Sequence, residues 1–72
     1  MIKTNLQTIL DDKDISIRQV SRDIDYRLET VRLLYHNQLE RIPKDLLDKL
    51  CSYLSVSPGD LLIYEDNEND NN

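Results

Sequence analysis

The sequence predicts an all-α domain built from five short helices. Three observations carry that prediction. Apolar residues recur three and four positions apart in one short segment after another, which is the spacing of a helix face. A single glycine occurs in 72 residues, and no stretch alternates apolar with polar side chains as a half-buried strand does. Helix-start punctuation stands ahead of the later segments, at Ser16, at Pro43 and in the run Ser57-Pro58-Gly59-Asp60. A compact chain of this length forms one domain, with a core near the lower limit for folding without disulfides or metals. A dimer partner is a natural source of added stability.

Leu6, Ile9 and Leu10 mark the first helix, which ends near Lys13-Asp14, with Ile2 extending its packing face. Ser16 followed by Gln19 makes a capping box and starts the second helix, about Ile17 to Ile24, whose buried face is Val20 and Ile24. The pattern breaks at Asp25-Tyr26-Arg27 and resumes with Leu28, Val31 and Leu34, a third helix from about Leu28 to His36. So brief a turn sets two helices at a steep angle, in a helix-turn-helix, and each is too short to persist without a third element to pack on. A loop covers Asn37 to Ile42. Pro43 fits the first position of a fourth helix, where its missing N–H costs nothing. Leu46, Leu47, Leu50, Cys51 and Leu54 give that helix one broad apolar face and make it the main core helix. Ser57 as cap, Pro58 next and Asp60 at the third position open a fifth helix through Leu61 and Leu62. Residues 1–64 are the domain. The remaining EDNENDNN, residues 65–72, has no apolar side chain to offset its ordering entropy and is predicted to be disordered.

Charge is unevenly distributed. The chain carries 14 acidic and nine basic residues, a net −5, yet every arginine lies between residues 15 and 44. There Arg18, Arg22, Arg27, Arg32, Arg41 and Lys44 outweigh Asp23, Asp25, Glu29 and Glu40. A weakly basic face on an acidic body attracts phosphate modestly and is strongly screened by salt; the competing reading is a plain solvated polar face. One cysteine excludes an internal disulfide framework and fits a reducing compartment. No apolar stretch approaches the roughly 20 residues of a membrane span, and no basic-then-apolar leader opens the chain, so a cytoplasmic location is expected. His36 lacks the partners of a metal site, and Asp11 and Asp12 lack a nucleophile, base or phosphate-cradling loop. The sequence predicts neither an enzyme nor a bound cofactor.

On these residues the chain resembles the lambda-repressor-like (Xre/Cro) helix-turn-helix family, in its minimal single-domain form. The resemblance rests on Ile15-Ser16, Val20, Ile24, Tyr26, Val31 and Leu34, then Arg41-Ile42-Pro43, Leu46-Leu47-Asp48-Lys49-Leu50-Cys51 and Ser57-Pro58-Gly59-Asp60-Leu61-Leu62. It implies a compact five-helix DNA-binding domain that binds double-stranded DNA as a dimer, with helix three in the major groove and the start of helix two against phosphate. Four positions depart from the family pattern: Ser21 where a small residue is usual, Asp25 where the turn usually has glycine, Ile17 where glutamine often opens helix two, and Arg27 where serine or threonine usually caps helix three.

Carried over, the groove-facing positions are Arg27, Leu28, Glu29 and Arg32, with Leu33 beside them and Thr30 either a contact or helical filler. An arginine can bond twice to the guanine edge, a glutamate can accept from cytosine N4, and a leucine can touch a thymine methyl. Glu29 has an equally good structural reading, as a complement to the helix dipole or a partner of Arg32 or Arg22. Phosphate contacts fall to Arg18, Asn37, Arg41 and Lys44 and to backbone N–H groups at the start of helix two. Leu61 to Tyr64 is more apolar surface than one short helix can bury, so Leu62, Ile63 and Tyr64, with Tyr53, are expected at a two-fold homodimer interface that matches an inverted-repeat operator. Two functions are therefore in competition. One is a sequence-specific transcriptional regulator, a small repressor of phage or mobile-element type. The other is a protein-interaction module, such as an antirepressor, regulatory subunit or antitoxin, whose helix-three face grips a protein partner through Leu28 and Leu33.

Overall fold

The computed structural model describes residues 1–66, so residues 67–72 of the predicted disordered tail lie outside the described residues. Along the chain run strand β1 (Ile2–Thr4), helices α1 (Leu6–Lys13), α2 (Ile17–Ile24), α3 (Leu28–Tyr35), α4 (Lys44–Leu54) and α5 (Pro58–Leu61), and strand β2 (Leu62–Tyr64). The five helices stand where the apolar spacing put them, with ends shifted by a residue or two. Pro43 precedes α4 as its N-cap, with ψ 138°, and is not its first helical residue.

Each helix buries the residues that its spacing places on one stripe: Leu6 and Leu10 from α1, Val20 and Ile24 from α2, Val31 and Leu34 from α3, Leu46, Leu50 and Leu54 from α4, and Leu61 from α5. Ile9, Leu47, Cys51 and Leu62, the rims of those stripes, are only half-buried against this cluster. Burial, followed by the nearby Asp48 and Asp60 charges, raises the Cys51 thiol pKa, so the side chain stays a neutral packing group.

Three tyrosines brace helices from outside the core. Tyr35 donates to Asp11 at 2.9 Å and ties α3 to α1. Tyr26 donates to Asp45 at 3.2 Å and ties the turn after α2 to α4, while Tyr53 donates to Asp23 at 2.5 Å and ties α4 to α2. Lys49 adds a fourth link, its ammonium donating to the Ile24 carbonyl at 3.1 Å, where a cation suits the C-terminal end of α2.

The all-α expectation needs correction at both ends of the domain. Ile2 is not an extension of α1, and α5 stops at Leu61. The flanking triplets pair as an antiparallel ribbon in the register Ile2 to Tyr64, Lys3 to Ile63 and Thr4 to Leu62. Three-residue strands are too short to display an alternation, so no period could reveal them. What brings them together is tertiary: α1 and α5 dock on the same core, and Asn5 N–H donates to the Leu61 carbonyl at 2.7 Å. The ribbon also claims the first residue of the acidic run. Glu65 N–H donates to the Met1 carbonyl at 2.7 Å, and the Glu65 carboxylate meets Lys3 at 2.8 Å. Among the described residues no helix is long and apolar enough to cross a membrane, and no cluster of metal-ligating side chains occurs.

Candidate nucleic-acid interface

The turn between α2 and α3 is fixed by three hydrogen bonds. Asp25 takes the left-handed conformation at φ 56°, its N–H reaches the Arg22 carbonyl, and Tyr26 N–H reaches the Ser21 carbonyl at 3.0 Å. This is the paired closure of a Schellman motif, and it ends α2 without glycine. Ser21 then donates its hydroxyl to the Tyr26 carbonyl across the turn. A residue that departs from the usual small side chain therefore locks the corner. At the other end of α2, the Ser16 hydroxyl accepts from Gln19 N–H at 3.0 Å, so the helix start is capped as its sequence indicates.

With Val31 and Leu34 turned into the core, α3 presents Arg27, Leu28, Glu29 and Arg32 to solvent. Leu28 is 36% exposed, unusual for a leucine beside so small a core. Arg32 and Glu29 form an ion pair one turn apart on this surface.

A recess between the start of α2 and the face of α3 collects Arg18, Leu28 and Arg32 with Ser16, Ile17 and Tyr35. The expected groove and phosphate residues Leu28, Arg32 and Arg18 are thus brought together. Ser16 and Ile17 are the start of helix two, whose backbone N–H groups are already among the expected phosphate contacts, whereas Tyr35 is an addition that no local signal marks. Asp11 lines the same recess and moderates its positive charge.

The rest of the expected set is dispersed. Arg27 and Thr30 border a second recess with Asp25, Tyr26, Pro43 and Asp45, where two carboxylates flank the arginine. Leu33 is half-buried at the edge of α3, while Arg41 and Lys44 are exposed on the loop and at the start of α4. Asn37, expected at a phosphate, is engaged within the fold: its carbonyl oxygen accepts from Thr4 N–H at 2.7 Å and its amide donates to the Thr4 carbonyl at 3.3 Å. Tyr53, expected with Leu62, Ile63 and Tyr64, lies half-buried against α2 through its bond to Asp23. His36 follows α3 and stacks edge-on against Tyr35, with ring centroids 4.9 Å apart.

The model of the Cro/C1-type HTH DNA-binding domain matches residues 5–67, from just before α1 to beyond β2. The chain belongs to the Cro/C1-type helix-turn-helix family. A Bacteroides fragilis chain whose crystal structure is described, provisionally, as that of a DNA-binding protein shares the fold at a TM-score of 0.76, with 21% identity over 88% of this chain and 100% of that one. Among curated proteins none matches. In this Cro/C1-type domain α2 and α3 are the helix-turn-helix pair, and β1 stands before the matched span.

Proposed function

We propose that this Cro/C1-type domain is a sequence-specific transcriptional regulator, a small repressor of phage or mobile-element type, that reads the DNA major groove with α3. The observation that carries the reading is the recess at the head of α2. There Arg18, Arg32 and Leu28 converge on a capped helix start whose first-turn N–H groups can receive a phosphate. Arg32 and Leu28 supply base contacts, with Arg27 and Glu29 at the rim of the groove; Arg18, Arg41 and Lys44 supply backbone contacts. Asn37 is left out of this set, because Thr4 occupies its amide. The domain acts in the cytoplasm as a homodimer on an inverted repeat, which matches the two-fold symmetry of DNA.

A second reading is favoured by one observation. Leu28, among the most exposed large apolar side chains, stands on α3 beside a neutralised Glu29–Arg32 pair, in a chain of net charge −5. Such a surface also suits a protein partner, as in an antirepressor, regulatory subunit or antitoxin. Pull-down of fragmented genomic DNA by the purified protein, at low and at moderate salt, separates the two. Enrichment of a short inverted repeat that persists at moderate salt is expected; retention of random fragments lost on adding salt would favour the protein-binding module.

A further inference from the structure

Leu28 is the one exposed large apolar side chain among the described residues that lies outside the terminal ribbon, and it stands on α3 four residues before Arg32. Residues four apart are neighbours on one helix face, and a long helical side chain leans toward the N-terminus, so Arg32 reaches back over the turn that carries Leu28. Both line the same recess. Glu29 pairs with Arg32 within one turn and sets the guanidinium on that surface. The pairing does not exhaust the arginine. A guanidinium has five N–H donors, so a fork of two remains for a planar acceptor edge while the carboxylate holds another. The first turn of α3 thus offers, side by side, a hydrogen-bonding fork and an exposed apolar side chain.

The base edges of the major groove carry a matching pair of features. Guanine presents two acceptors, O6 and N7, to such a fork, and the apolar group on the groove floor is the methyl on C5 of thymine. Cytosine has a hydrogen there, whereas 5-methylcytosine carries the same methyl in the same place. We infer that Leu28 and Arg32 together read a 5-methylpyrimidine next to a guanine, so that the C5 methyl is a determinant of binding and methylation of a cytosine at that position strengthens the site. This recognition rests on the DNA-binding reading of α3 and names what that face selects. The spacing suits neighbouring bases. Leu28 is the first residue of α3, the end of a recognition helix that meets base edges. Arg32 follows about 6 Å along the axis at 1.5 Å per residue, and its backward lean brings the guanidinium toward the ~3.4 Å step between successive bases. The methyl also gives the exposed leucine a function on DNA. A phosphate contact gains nothing from an apolar side chain, but a methyl and a leucine that meet exclude water from each other.

Base analogues test this with the wild-type protein, so no variant has to fold. The probe is a duplex carrying the sequence enriched in the genomic pull-down. Each thymine is replaced in turn by uracil, which removes only the methyl, each cytosine by 5-methylcytosine, which adds only the methyl, and each guanine by 7-deazaguanine, which removes only the N7 acceptor. One pyrimidine in each half-site, beside a guanine that is sensitive to the 7-deaza change, should respond to its methyl by about fourfold, the worth of one buried methyl group. The loss appears with uracil if the base is thymine, and the gain with 5-methylcytosine if it is cytosine; placing both methylated bases at that position shows which of the two is preferred. Leu28→Ala should abolish the methyl effect and keep the 7-deazaguanine effect, and Arg32→Ala should do the reverse. A sequence bound specifically whose affinity no methyl alters would overturn the inference and leave the DNA-binding reading standing, as would a methyl effect that survives Leu28→Ala. A protein that enriches no sequence from genomic DNA would remove the DNA reading and this recognition with it.

Discussion

At the residue scale, the arginines of the recess and the tyrosine braces make separable predictions. If, as proposed, Arg32 on the exposed face of α3 meets a guanine edge, Arg32→Ala should weaken binding to the cognate site by about 1–3 kcal/mol and relax preference at one base pair. Arg18→Ala should weaken all sequences about equally, because a phosphate contact carries no base information. Titration of binding against a set of single-base variants of the site distinguishes the two; equal losses on all of them for Arg32→Ala would move it from base to backbone. The braces predict a response to alkali. For Tyr35 and Tyr53 the hydrogen bond to Asp11 or Asp23 raises the pKa above the ordinary tyrosine value; for Tyr26 desolvation comes first and the bond to Asp45 second. The folded state therefore holds these protons more tightly than the unfolded chain. Stability is complete below about pH 10 and falls as pH rises through the raised values. Melts taken between neutrality and strong alkali should show that fall, and the triple Tyr→Phe variant should flatten it. None of the three braces was legible in the sequence, since partners 19 to 30 residues apart have no local signature.

At the element scale, what could be read and what could not divide by range. The helices were legible because their apolar stripes and caps are local, as at Ser16 and Asp60, whose carboxylate accepts from Ser57 N–H at 3.0 Å. The strands were not, because three residues fix no period and their pairing joins the two ends of the domain. The helix ends carry an unusual economy. The residues that close α1, α2, α3 and α4 in the left-handed conformation are Asp14, Asp25, Asn37 and Ser55, all with φ near 60°, while the only glycine serves α5. Asp and Asn tolerate that conformation through local hydrogen bonds; serine does so less well. Ser55→Gly should therefore raise stability by roughly 1 kcal/mol, or about 4–8 °C in Tm for a domain of this size. A lowered Tm would show that the Ser55 side chain contributes something the glycine loses. In the opposite direction, Leu50 is fully buried at the centre of the α4 stripe, and Leu50→Ala should cost about 2–5 kcal/mol by leaving a cavity. A whole domain of this length holds roughly 4–11 kcal/mol, so that variant should melt far below wild type or fail to fold.

At the scale of the whole molecule, the open question is how a protein of net charge −5 approaches a polyanion. The fold answers by segregation: Arg18, Leu28 and Arg32 gather at one recess, while Asp48, Asp60 and Glu65 lie on α4, α5 and the ribbon. Even there Asp11 and the Glu29 partner of Arg32 hold the local charge down. Affinity must therefore come from fit more than from charge. If Arg18, Arg41 and Lys44 are the phosphate contacts of one domain, log K for a half-site should fall with log salt at a slope of about −3, shallow for a DNA-binding protein. The acidic run belongs to the same argument. Composition alone sets residues 65–72 apart as one tail, but Glu65 is held by Lys3 and by the Met1 carbonyl, so it forms part of the ribbon. Residues 67–72 add Glu68 and Asp70, whose charge should repel phosphate in any encounter that lacks the compensating contacts of a specific site. Removing residues 67–72 should thus raise affinity for random DNA at low salt, leave the cognate half-site nearly unchanged at moderate salt, and leave Tm where it was. Removing Glu65 as well should lower Tm, because the ribbon then loses its Lys3 pair and its bond to Met1. Equal gains on random and cognate DNA at both salt concentrations would mean that the run acts as bulk charge only, and that discrimination rests on the α3 face alone.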